Sequence, residues 1–487
     1  MSARSSASGS ARLAPRQTLA VLLAVTLAVR LGLAAAMPLV DDEAYYRLWS
    51  LRPDFGYFDH PPMIAWWIWA GRHIAGDNPL GIRLLPVLSL SLTTLVTFDI
   101  ARLLDLGERV ALRAAIWLNA TLLVGVAGFL AVPDPPNALF WALAIWCALK
   151  AMRGPGAWWL AAGLAAGLAC LSKYSALFLA PGMVLWLALS PQGRRALRTP
   201  WPWLAAVIAV AVYAPNVAWN AGHGWVTFDK QFGRARVEGF TPQFLLKLAF
   251  DQALLLNPLI ALFVVLAVRR RLAWPLLAVS APFALYLGFH ALHDEVQGQW
   301  PAPLYPSLAI CAAAAAEGAT GWLARLRTAA PALGWIAGAV AFGWVLAPEQ
   351  ALPFRDPVLP LRGWPAFYGE AQRERLAAGA AWVGTTDYSL AAMLSLSPDK
   401  APATEVIERP RFVFETPDER ADFTRPGLVL EPRKATDLVD LAHCFASVTP
   451  QPALSRGLGS HPAVYEAFRV AGPLVDVERD GCPLAKR

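Results

Sequence analysis

Long apolar runs recur along the first two thirds of the chain and are separated by short polar stretches. Because the runs are continuously apolar rather than alternating, they favour membrane-spanning helices over strands. We predict eleven spans, at 18–39, 80–104, 114–132, 137–152, 157–171, 175–190, 201–218, 244–268, 272–290, 301–318 and 331–347. The apolar segment Met63–Ala75 is too short to cross a bilayer, so we predict an interfacial or re-entrant helix there.

The first run, Thr18–Val40, follows an N-terminal tail that is rich in Arg and Ser. This order of residues is similar to that of a secretory signal peptide. The run is longer than the usual apolar core of a signal peptide. We therefore interpret it as an uncleaved first span that follows a cytoplasmic tail, residues 1–17.

The composition changes near the end of the last span. Residues 348–487 are rich in Pro, Arg, Asp and Glu and contain short apolar runs that predict strands between helices. Three of these runs are Ala381–Val383, Arg411–Phe414 and Leu428–Leu430. The predicted fold class is an all-α polytopic membrane protein, with spans over 18–347, followed by a small α/β domain. Cys444 and Cys482 in that domain could pair in an oxidising compartment or remain free thiols.

Basic residues occupy every second connection when eleven spans are counted from a cytoplasmic N-terminus. The inner segments hold Arg12, Arg16, Arg109, Arg113, Lys150, Arg153, Arg194, Arg195, Arg198, Arg269, Arg270, Arg271, Arg325 and Arg327. This distribution follows the bias of Lys and Arg towards the cytoplasm. All 7 histidines and most candidate chemical groups then lie on the outer side, together with the C-terminal domain.

Composition agrees with a membrane protein. Of 487 residues, 56% are apolar and 16% are charged, whereas soluble domains carry about 25% charge. The net charge of +7 is explained by the inner connections, so no nucleic acid partner is inferred. The 5 cysteines form no CxxC pair, which gives no support to a zinc or redox motif. Neither GxxxxGKS/T nor GxGxxG occurs, and no nucleotide cofactor is expected.

The acidic stretch after the first span carries the first candidate site. On a short helix Asp42, Tyr45, Tyr46 and Trp49 share one face. A carboxylate that is partly shielded from water can have a raised pKa and act as a general base. Tyrosine rings and hydroxyls suit a sugar, and Glu43 is a further substrate-binding candidate. The alternative is an interfacial aromatic belt.

A stiff turn follows at Asp59 and His60, because two prolines come directly after them. This acid and imidazole could ligate a divalent metal ion, or protonated His60 could bind a phosphate. His293 is the candidate that would complete the metal site with Asp59. The alternative is a plain turn.

Two short outer turns add a carboxylate and a cation. Asp134, in VPDPPN, is either a catalytic acid or a turn residue. Lys173, in LSKYS, can neutralise a phosphate or extend towards lipid headgroups, and the next residue, Tyr174, is a further substrate-binding candidate.

Two longer outer loops supply further substrate-binding candidates. The first contains His223, Arg234 and Arg236. Because outer cations oppose the charge bias, we expect an anionic ligand there. The last loop contributes Gln299 and Trp300.

The run DDEAYYRLWS…GYFDHPPMIAWW resembles the bacterial lipid-linked-sugar glycosyltransferases of the membrane GT-C type. These include relatives of the aminoarabinose transferase to lipid A, the protein O-mannosyltransferases and the Rgt-type transferases of lipopolysaccharide cores. The landmarks AVPDPPNALFWALA, LSKYSALFLAPG, WNAGHGWVTFDKQFGR and VQGQWPAPLYPSLA follow in family order, so the resemblance covers about residues 18–320. It implies a GT-C fold over 18–347 in the bacterial inner membrane, a periplasmic cavity and a polyprenyl-phosphate sugar donor.

The resemblance also implies roles for individual residues. Asp42 matches the acid that opens the family's DE-x-YY motif and is its presumed base. Asp59 matches the acid of the YF-D/E-x-PP motif, which is linked in relatives to a metal or to the donor phosphate. Asp134 matches a second acid, and Lys173 a phosphate contact. His60 stands where lipid A aminoarabinose transferases carry Lys, which leaves the acceptor open.

The predicted function is inverting transfer of a sugar from polyprenyl phosphate to a periplasmic envelope acceptor, such as lipopolysaccharide, a glycolipid or another glycan. The expected partners are this donor, the lipid or glycan acceptor and the bilayer. The alternatives are a transporter or flippase of lipid-linked sugars, a protein O-glycosyltransferase, and a sensor whose outer tail binds glycan.

Overall fold

The computed structural model describes residues 13–233, 239–407, 411, 420–433 and 441–482. Most of these residues are helical. The helices are α1 (Pro15–Ala36), α2 (Asp41–Leu51), α3 (Met63–Ala75), α4 (Pro79–Leu103), α5 (Glu108–Asn119), α6 (Asp134–Arg153), α7 (Trp158–Ser172), α8 (Leu179–Leu189), α9 (Pro191–Ala196), α10 (Trp201–Gly222), α11 (Val226–Gly233), α12 (Gln243–Leu255), α13 (Pro258–Arg270), α14 (Trp274–His290), α15 (Tyr305–Ala315), α16 (Gly321–Leu346), α17 (Trp364–Ala377), α18 (Tyr388–Leu394), α19 (Leu441–Cys444) and α20 (Val477–Asp480). One π turn, Leu123–Ala127, follows α5, and 3₁₀ turns lie at Tyr174–Phe178, Ala302–Leu304 and Leu359–Leu361.

Each of the eleven predicted spans contains helix. Within the described ranges, α1, α4, α10 and α16 are long and apolar enough to cross a membrane, and the bent pair α12–α13 could form a fifth span. The other predicted spans are shorter or interrupted, so the number of crossings remains a prediction. The short helix predicted at Met63–Ala75 has the same bounds in α3.

The span predicted at 244–268 is not one straight helix, because the chain bends by 112° between α12 and α13. Asn257 lies at the bend with φ 74°, a left-handed conformation that interrupts a right-handed helix. Its buried side chain donates to the carbonyl of Ala330 at 2.7 Å and accepts from the amide of Leu259. Pro258 then begins α13 at a position where proline costs no helical hydrogen bond.

The helices pack closely around an apolar core in which Trp117, Trp141 and Phe263 are buried. Glycine allows two of these contacts. A Cβ at Gly163 would lie 2.3 Å from the carbonyl oxygen of Ala205, and one at Gly182 would lie 2.1 Å from that of Val279. The backbones of α7 and α10, and of α8 and α14, are therefore in direct contact.

The predicted C-terminal α/β domain contains a five-stranded mixed sheet with the order β2-β1-β3-β5-β4. The strands are β1 (Trp382–Thr385), β2 (Ala403–Glu405), β3 (Gly427–Pro432), β4 (Phe445–Arg456) and β5 (Ala463–Pro473). β1 is parallel to β2 and β3, whereas β5 is antiparallel to β3 and β4. The predicted strands at 381–383 and 428–430 correspond to β1 and β3. The one at 411–414 lies outside the described residues except for Arg411.

The C-terminal domain packs against α2. One apolar cluster joins Tyr45 and Trp49 of α2 to Leu390 and Met393 of α18. Cys444 and Cys482, whose pairing the sequence left open, form a disulfide with their Cα atoms 5.6 Å apart. The domain therefore lies beside the stretch that carries the first candidate site.

Candidate active site

A cavity of about 500 Å³ lies where α2, the start of α6, the end of α7 and the loop before α15 meet. Ten of the candidate residues line it: Asp42, Tyr45, Tyr46, Asp59, His60, Asp134, Lys173, Tyr174, Gln299 and Trp300. Its apolar wall consists mainly of side chains from the long helices and the π turn. These include Leu90, Leu123, Val124, Leu255 and Phe283. One cavity thus combines carboxylates, a cation, aromatic rings and an apolar surface.

The acidic sequence DDE starts α2. Acids in a first turn are stabilised by the free amides of the helix end, and the Glu43 carboxylate caps the helix by accepting from the Val40 amide at 3.1 Å. Glu43 is fully buried and accepts from Nε of Arg83 at 2.7 Å and from the Ala131 amide at 2.8 Å. It does not line the cavity. We therefore correct its predicted substrate-binding role to a structural one.

Arg83 extends this contact into a clamp. Its remaining donors bond to the carbonyls of Ala34, Met37 and Pro38 at the end of α1. The clamp joins α1, α2, α4 and the turn before α6. Because buried charges are tolerated only when they are paired and hydrogen-bonded, this ion pair fixes the backbone from which Asp42 projects.

Asp42 is half-buried and points into the cavity. Burial and, after it, the neighbouring charges of Asp41, Asp59 and Asp134 together raise its pKa to about 7, whereas Lys173 opposes the rise. The helix N-terminus favours the carboxylate form, but desolvation outweighs that effect here. A carboxyl group with a pKa near neutrality can accept a proton under physiological conditions.

Asp59 is buried in the turn before α3. Its Oδ2 accepts from the hydroxyl of Tyr45 at 2.9 Å and from NH1 of Arg411 at 2.6 Å. Burial raises the pKa of Tyr45, so its hydroxyl keeps the proton that it donates. The backbone of this turn is held by Gln231, which donates to the Asp59 carbonyl at 2.6 Å, and by Thr227, which donates to the Tyr57 carbonyl at 2.6 Å.

Asp134 and Lys173 form a second ion pair on the cavity wall. Nζ of Lys173 lies 2.7 Å from Oδ1 of Asp134, and both side chains are nearly buried. Asp134 occupies the first turn of α6, and Lys173 lies at the end of α7 where its backbone becomes extended. The two turns that seemed separate in sequence thus meet at one point.

Tyr174 connects the cavity to α10. Its hydroxyl donates to Oδ1 of Asn216 at 3.2 Å, and Nδ2 of Asn216 donates to the carbonyl of Phe55 at 2.7 Å. Burial raises the pKa of Tyr174 to about 12, so the hydroxyl remains a donor. This network fixes the segment before Asp59.

The first long outer loop contributes less than predicted. His223 is exposed and lies outside the cavity, where its ring stacks on Trp219 at 4.0 Å. Trp219 in turn covers Gly56, at which a Cβ would lie 2.3 Å from the indole ring. His223 therefore supports the packing of the turn at Gly56. The described cavity does not support its predicted role as a substrate contact. Arg234 and Arg236 lie outside the described residues.

The predicted metal ligands do not fit a metal site in the described structure. His293 does not line the cavity, and its Nδ1 lies 2.9 Å from the Phe289 carbonyl. Asp59 is bound to a guanidinium and a phenol. Within the described ranges, no group of three or more His, Cys, Asp or Glu side chains is placed to hold a metal ion. We assign no reaction step to a metal at Asp59.

Sequence reasoning missed the contribution of the C-terminal domain. Tyr388 of α18 lines the cavity, and its ring lies 5.0 Å from that of Tyr45. Arg411 places its guanidinium over the Tyr388 ring at 4.3 Å. Neither residue lies in a recognisable motif, and Arg411 was part of a predicted strand. From the helical domain, Phe283 and Tyr286 were also missed, because apolar α14 carried no polar signal.

The structure thus combines a helical domain with long apolar helices, a charged cavity and a sheet domain that packs beside it. Comparisons with known proteins confirm the resemblance drawn from the motifs. Residues 59–219 match the family described as dolichyl-phosphate-mannose-protein mannosyltransferase. The chain resembles GT-C transferases in both sequence and fold.

Three particular proteins are similar. The lipid A galacturonosyltransferase RgtD of Rhizobium johnstonii is 34% identical over 220 residues, which are 43% of this chain and 45% of RgtD. An undecaprenyl phosphate-alpha-4-amino-4-deoxy-L-arabinose arabinosyl transferase of Pseudomonas aeruginosa is 30% identical over 135 residues, 26% of this chain and 24% of the relative. The chain thus spans less than half the length of these relatives.

The third similar protein is known from a solved structure, that of ArnT from Cupriavidus metallidurans bound to undecaprenyl phosphate. It superposes with a TM-score of 0.65 and 16% sequence identity, covering 94% of this chain and all of ArnT. At this identity the likeness establishes the fold alone.

Proposed function

We propose that this protein is a membrane glycosyltransferase that transfers a sugar from a polyprenyl phosphate to an acceptor in the cell envelope. One observation carries the proposal: a single cavity places the Asp42 carboxyl, whose pKa is about 7, together with Lys173 and an apolar wall. The name of the Pseudomonas aeruginosa relative includes an undecaprenyl phosphate sugar and supports a lipid-linked donor, and the name of RgtD includes lipid A and supports an envelope acceptor.

The cavity suits both parts of such a donor. Tyrosine rings offer flat faces for a sugar, and Lys173 offers a positive charge for the phosphate. Leu90, Leu123 and Val124 provide apolar contacts for the first units of a polyprenyl chain. A volume of about 500 Å³ lies within the common range for sites that bind small molecules.

In the proposed reaction the acceptor hydroxyl attacks the anomeric carbon from the face opposite the phosphate. A new carbon–oxygen bond forms, the bond between the anomeric carbon and the phosphate oxygen breaks, and the configuration inverts. Asp42 takes the proton of the hydroxyl. The electron pair of the broken bond leaves with polyprenyl phosphate, whose charge Lys173 stabilises.

The proposed setting is the bacterial inner membrane, with the N-terminus in the cytoplasm and the cavity and C-terminal domain in the periplasm. A lipopolysaccharide, glycolipid or other glycan acceptor would reach the cavity from that side. Transfer to protein and transport of lipid-linked sugars are the competing functions, and the assay below distinguishes them.

The test uses the full chain in lipid nanodiscs with radiolabelled polyprenyl-phosphate sugars and a lipid extract of the envelope as acceptor. We expect label to move to a glycolipid, and Asp42→Asn to lower the rate by about 10²–10⁴-fold because the general base is lost. Asp54→Asn is the matched control, since Asp54 lies in the same outer stretch but is exposed and outside the cavity.

Full activity of Asp42→Asn would overturn the role of the base. If the label moved only to protein, the acceptor class would be wrong. Movement of intact donor across a vesicle membrane, without transfer, would favour the transporter.

A further inference from the structure

The charge balance of the cavity points to a contribution from the C-terminal domain. Among the described lining residues, Asp42, Asp59 and Asp134 face one lysine, Lys173. Such a set is unfavourable for a phosphate, because carboxylates repel it. A cation that compensates one carboxylate from outside the cavity would remove much of this conflict.

Arg411 meets that requirement. Its NH1 lies 2.6 Å from Oδ2 of Asp59, and the two side chains are 6% and 9% exposed. The guanidinium also stacks on Phe58 at 4.7 Å and on Tyr388 at 4.3 Å, so its position is fixed from two faces. The pair joins residues 352 positions apart in the chain.

The same Asp59 oxygen accepts the hydroxyl of Tyr45, which lines the cavity. Asp59 therefore transmits the position of Arg411 to a side chain that faces the substrate. Glu405 at the end of β2 lies 4.0 Å from Nε of Arg411, so a carboxylate also faces the guanidinium from the domain side.

We propose that Arg411 is a positioning residue of the active site: it is a cation of the C-terminal domain that neutralises Asp59, so that Asp59 orients Tyr45 instead of ligating a metal ion. The C-terminal domain thereby completes the site. This inference rests on the proposed function, but the ion pair itself can be tested without sugar transfer.

The first experiment is a thermal stability cycle on the full chain in nanodiscs, with Arg411→Met, Asp59→Asn and the double variant. Arg411→Met should lower the melting temperature strongly, because a buried carboxylate loses its partner. The double variant should lose less than the sum of the two single variants. Arg433→Met is the matched control, since Arg433 belongs to the same domain but is exposed and pairs with Glu466. Strictly additive losses would overturn the pairing.

The second experiment measures transfer against pH. Arg411→Met should lower the rate by about 10²-fold, since a displacement of about 1 Å in an active site costs this much. It should also shift the acid limb of the profile to higher pH, because uncompensated Asp59 disfavours ionised Asp42. Arg411→Lys should restore the wild-type limb. A rate loss with an unchanged limb would indicate a structural role only and would overturn the proposal.

The third experiment uses Mn²⁺ as a probe of Asp59. We expect Mn²⁺ to leave the melting temperature of the wild-type chain unchanged. A stabilisation by Mn²⁺ that Asp59→Asn abolishes would show Asp59 acting as a metal ligand and would overturn the proposal. If the wild-type chain transfers no sugar at all, the proposed function fails, whereas the stability cycle and the Mn²⁺ measurement still decide the role of Arg411.

Discussion

The pairs Lys173–Asp134 and Arg411–Asp59 are both short carboxylate–cation contacts, at 2.7 and 2.6 Å, but they join different parts of the chain. The first joins two residues that are 39 positions apart, at the start of α6 and the end of α7. The second connects the helical domain to the C-terminal domain across 352 positions. The helical domain thus supplies Asp42, the proposed general base, and one ion pair by itself, whereas Asp59 depends on a separate domain for its cation.

This difference predicts different consequences of damage. A substitution in the helical domain should lower the transfer rate or destabilise α2, the helix that carries Asp42. A substitution in the C-terminal domain should weaken the positioning of Asp59 and Tyr45, whereas the part of the cavity formed by the helical domain remains intact. Five measurements test this contrast.

The largest effect is expected from Glu43→Gln. The substitution keeps the shape of the side chain but leaves buried Arg83 without its counter-charge, which should lower the free energy of unfolding by about 3–5 kcal/mol. Denaturation of the purified chain in detergent measures this loss. Asp41→Asn, an exposed change in the same helix turn, is the control. A loss below about 1 kcal/mol for Glu43→Gln would contradict the clamp.

Lys173→Met should come next. Loss of the charge proposed to stabilise the leaving phosphate should lower the transfer rate by about 10²–10³-fold. The radiolabel assay measures the rate. Lys247→Met is the control, because Lys247 is half-exposed, pairs with Asp251 and lies outside the cavity. Equal activity of the two variants would remove Lys173 from the site.

The disulfide provides a test of the stability of the C-terminal domain. Replacing Cys444 and Cys482 together by Ser opens a loop of 38 positions and should destabilise the C-terminal domain by about 2–4 kcal/mol. Limited proteolysis should then cleave this domain before the helical domain. Cys170→Ser, at a free cysteine in α7, serves as the control. A cleavage pattern identical to wild type would show that the disulfide does not hold the domain.

The smallest effect concerns pH. Because Asp42 must be ionised to accept a proton, the transfer rate should rise with pH and reach a plateau above about 7. The residual activity of Lys173→Met should show this limb at higher pH, since Lys173 lowers the pKa of Asp42. A shift of one pKa unit corresponds to about 1.4 kcal/mol. An unchanged acid limb of the pH–rate profile in this variant would show that Lys173 does not lower the pKa of Asp42.

The same pKa has a consequence for folding. An aspartate in the unfolded chain titrates near about 3.9, so the folded state binds the Asp42 proton more tightly. Stability from this group is therefore present at low pH and is lost as pH rises from about 4 to about 7. Asn does not titrate, so the Asp42→Asn variant has no such pH-dependent loss of stability. The wild-type chain should therefore become less stable relative to this variant as the pH rises over that interval. Parallel stability curves would contradict the raised pKa.

The sequence by itself determined much of the helical domain. Apolar runs located helix in all eleven predicted spans, and the bounds of the apolar run Met63–Ala75 are those of α3. The face shared by Asp42, Tyr45 and Tyr46 followed from helical periodicity, and motif order identified Asp59, Asp134 and Lys173. These features depend on neighbours within a few residues, which is what a sequence pattern records.

Tertiary structure decided the rest. Glu43 and Asp42 are adjacent acids, yet only contact with Arg83, 40 positions away, makes Glu43 structural and leaves Asp42 facing the cavity. The bend at Asn257 depends on a contact with the Ala330 carbonyl. Arg411 reaches Asp59 because the sheet domain packs against α2, and no local pattern encodes the partner of a charge that lies 352 positions away.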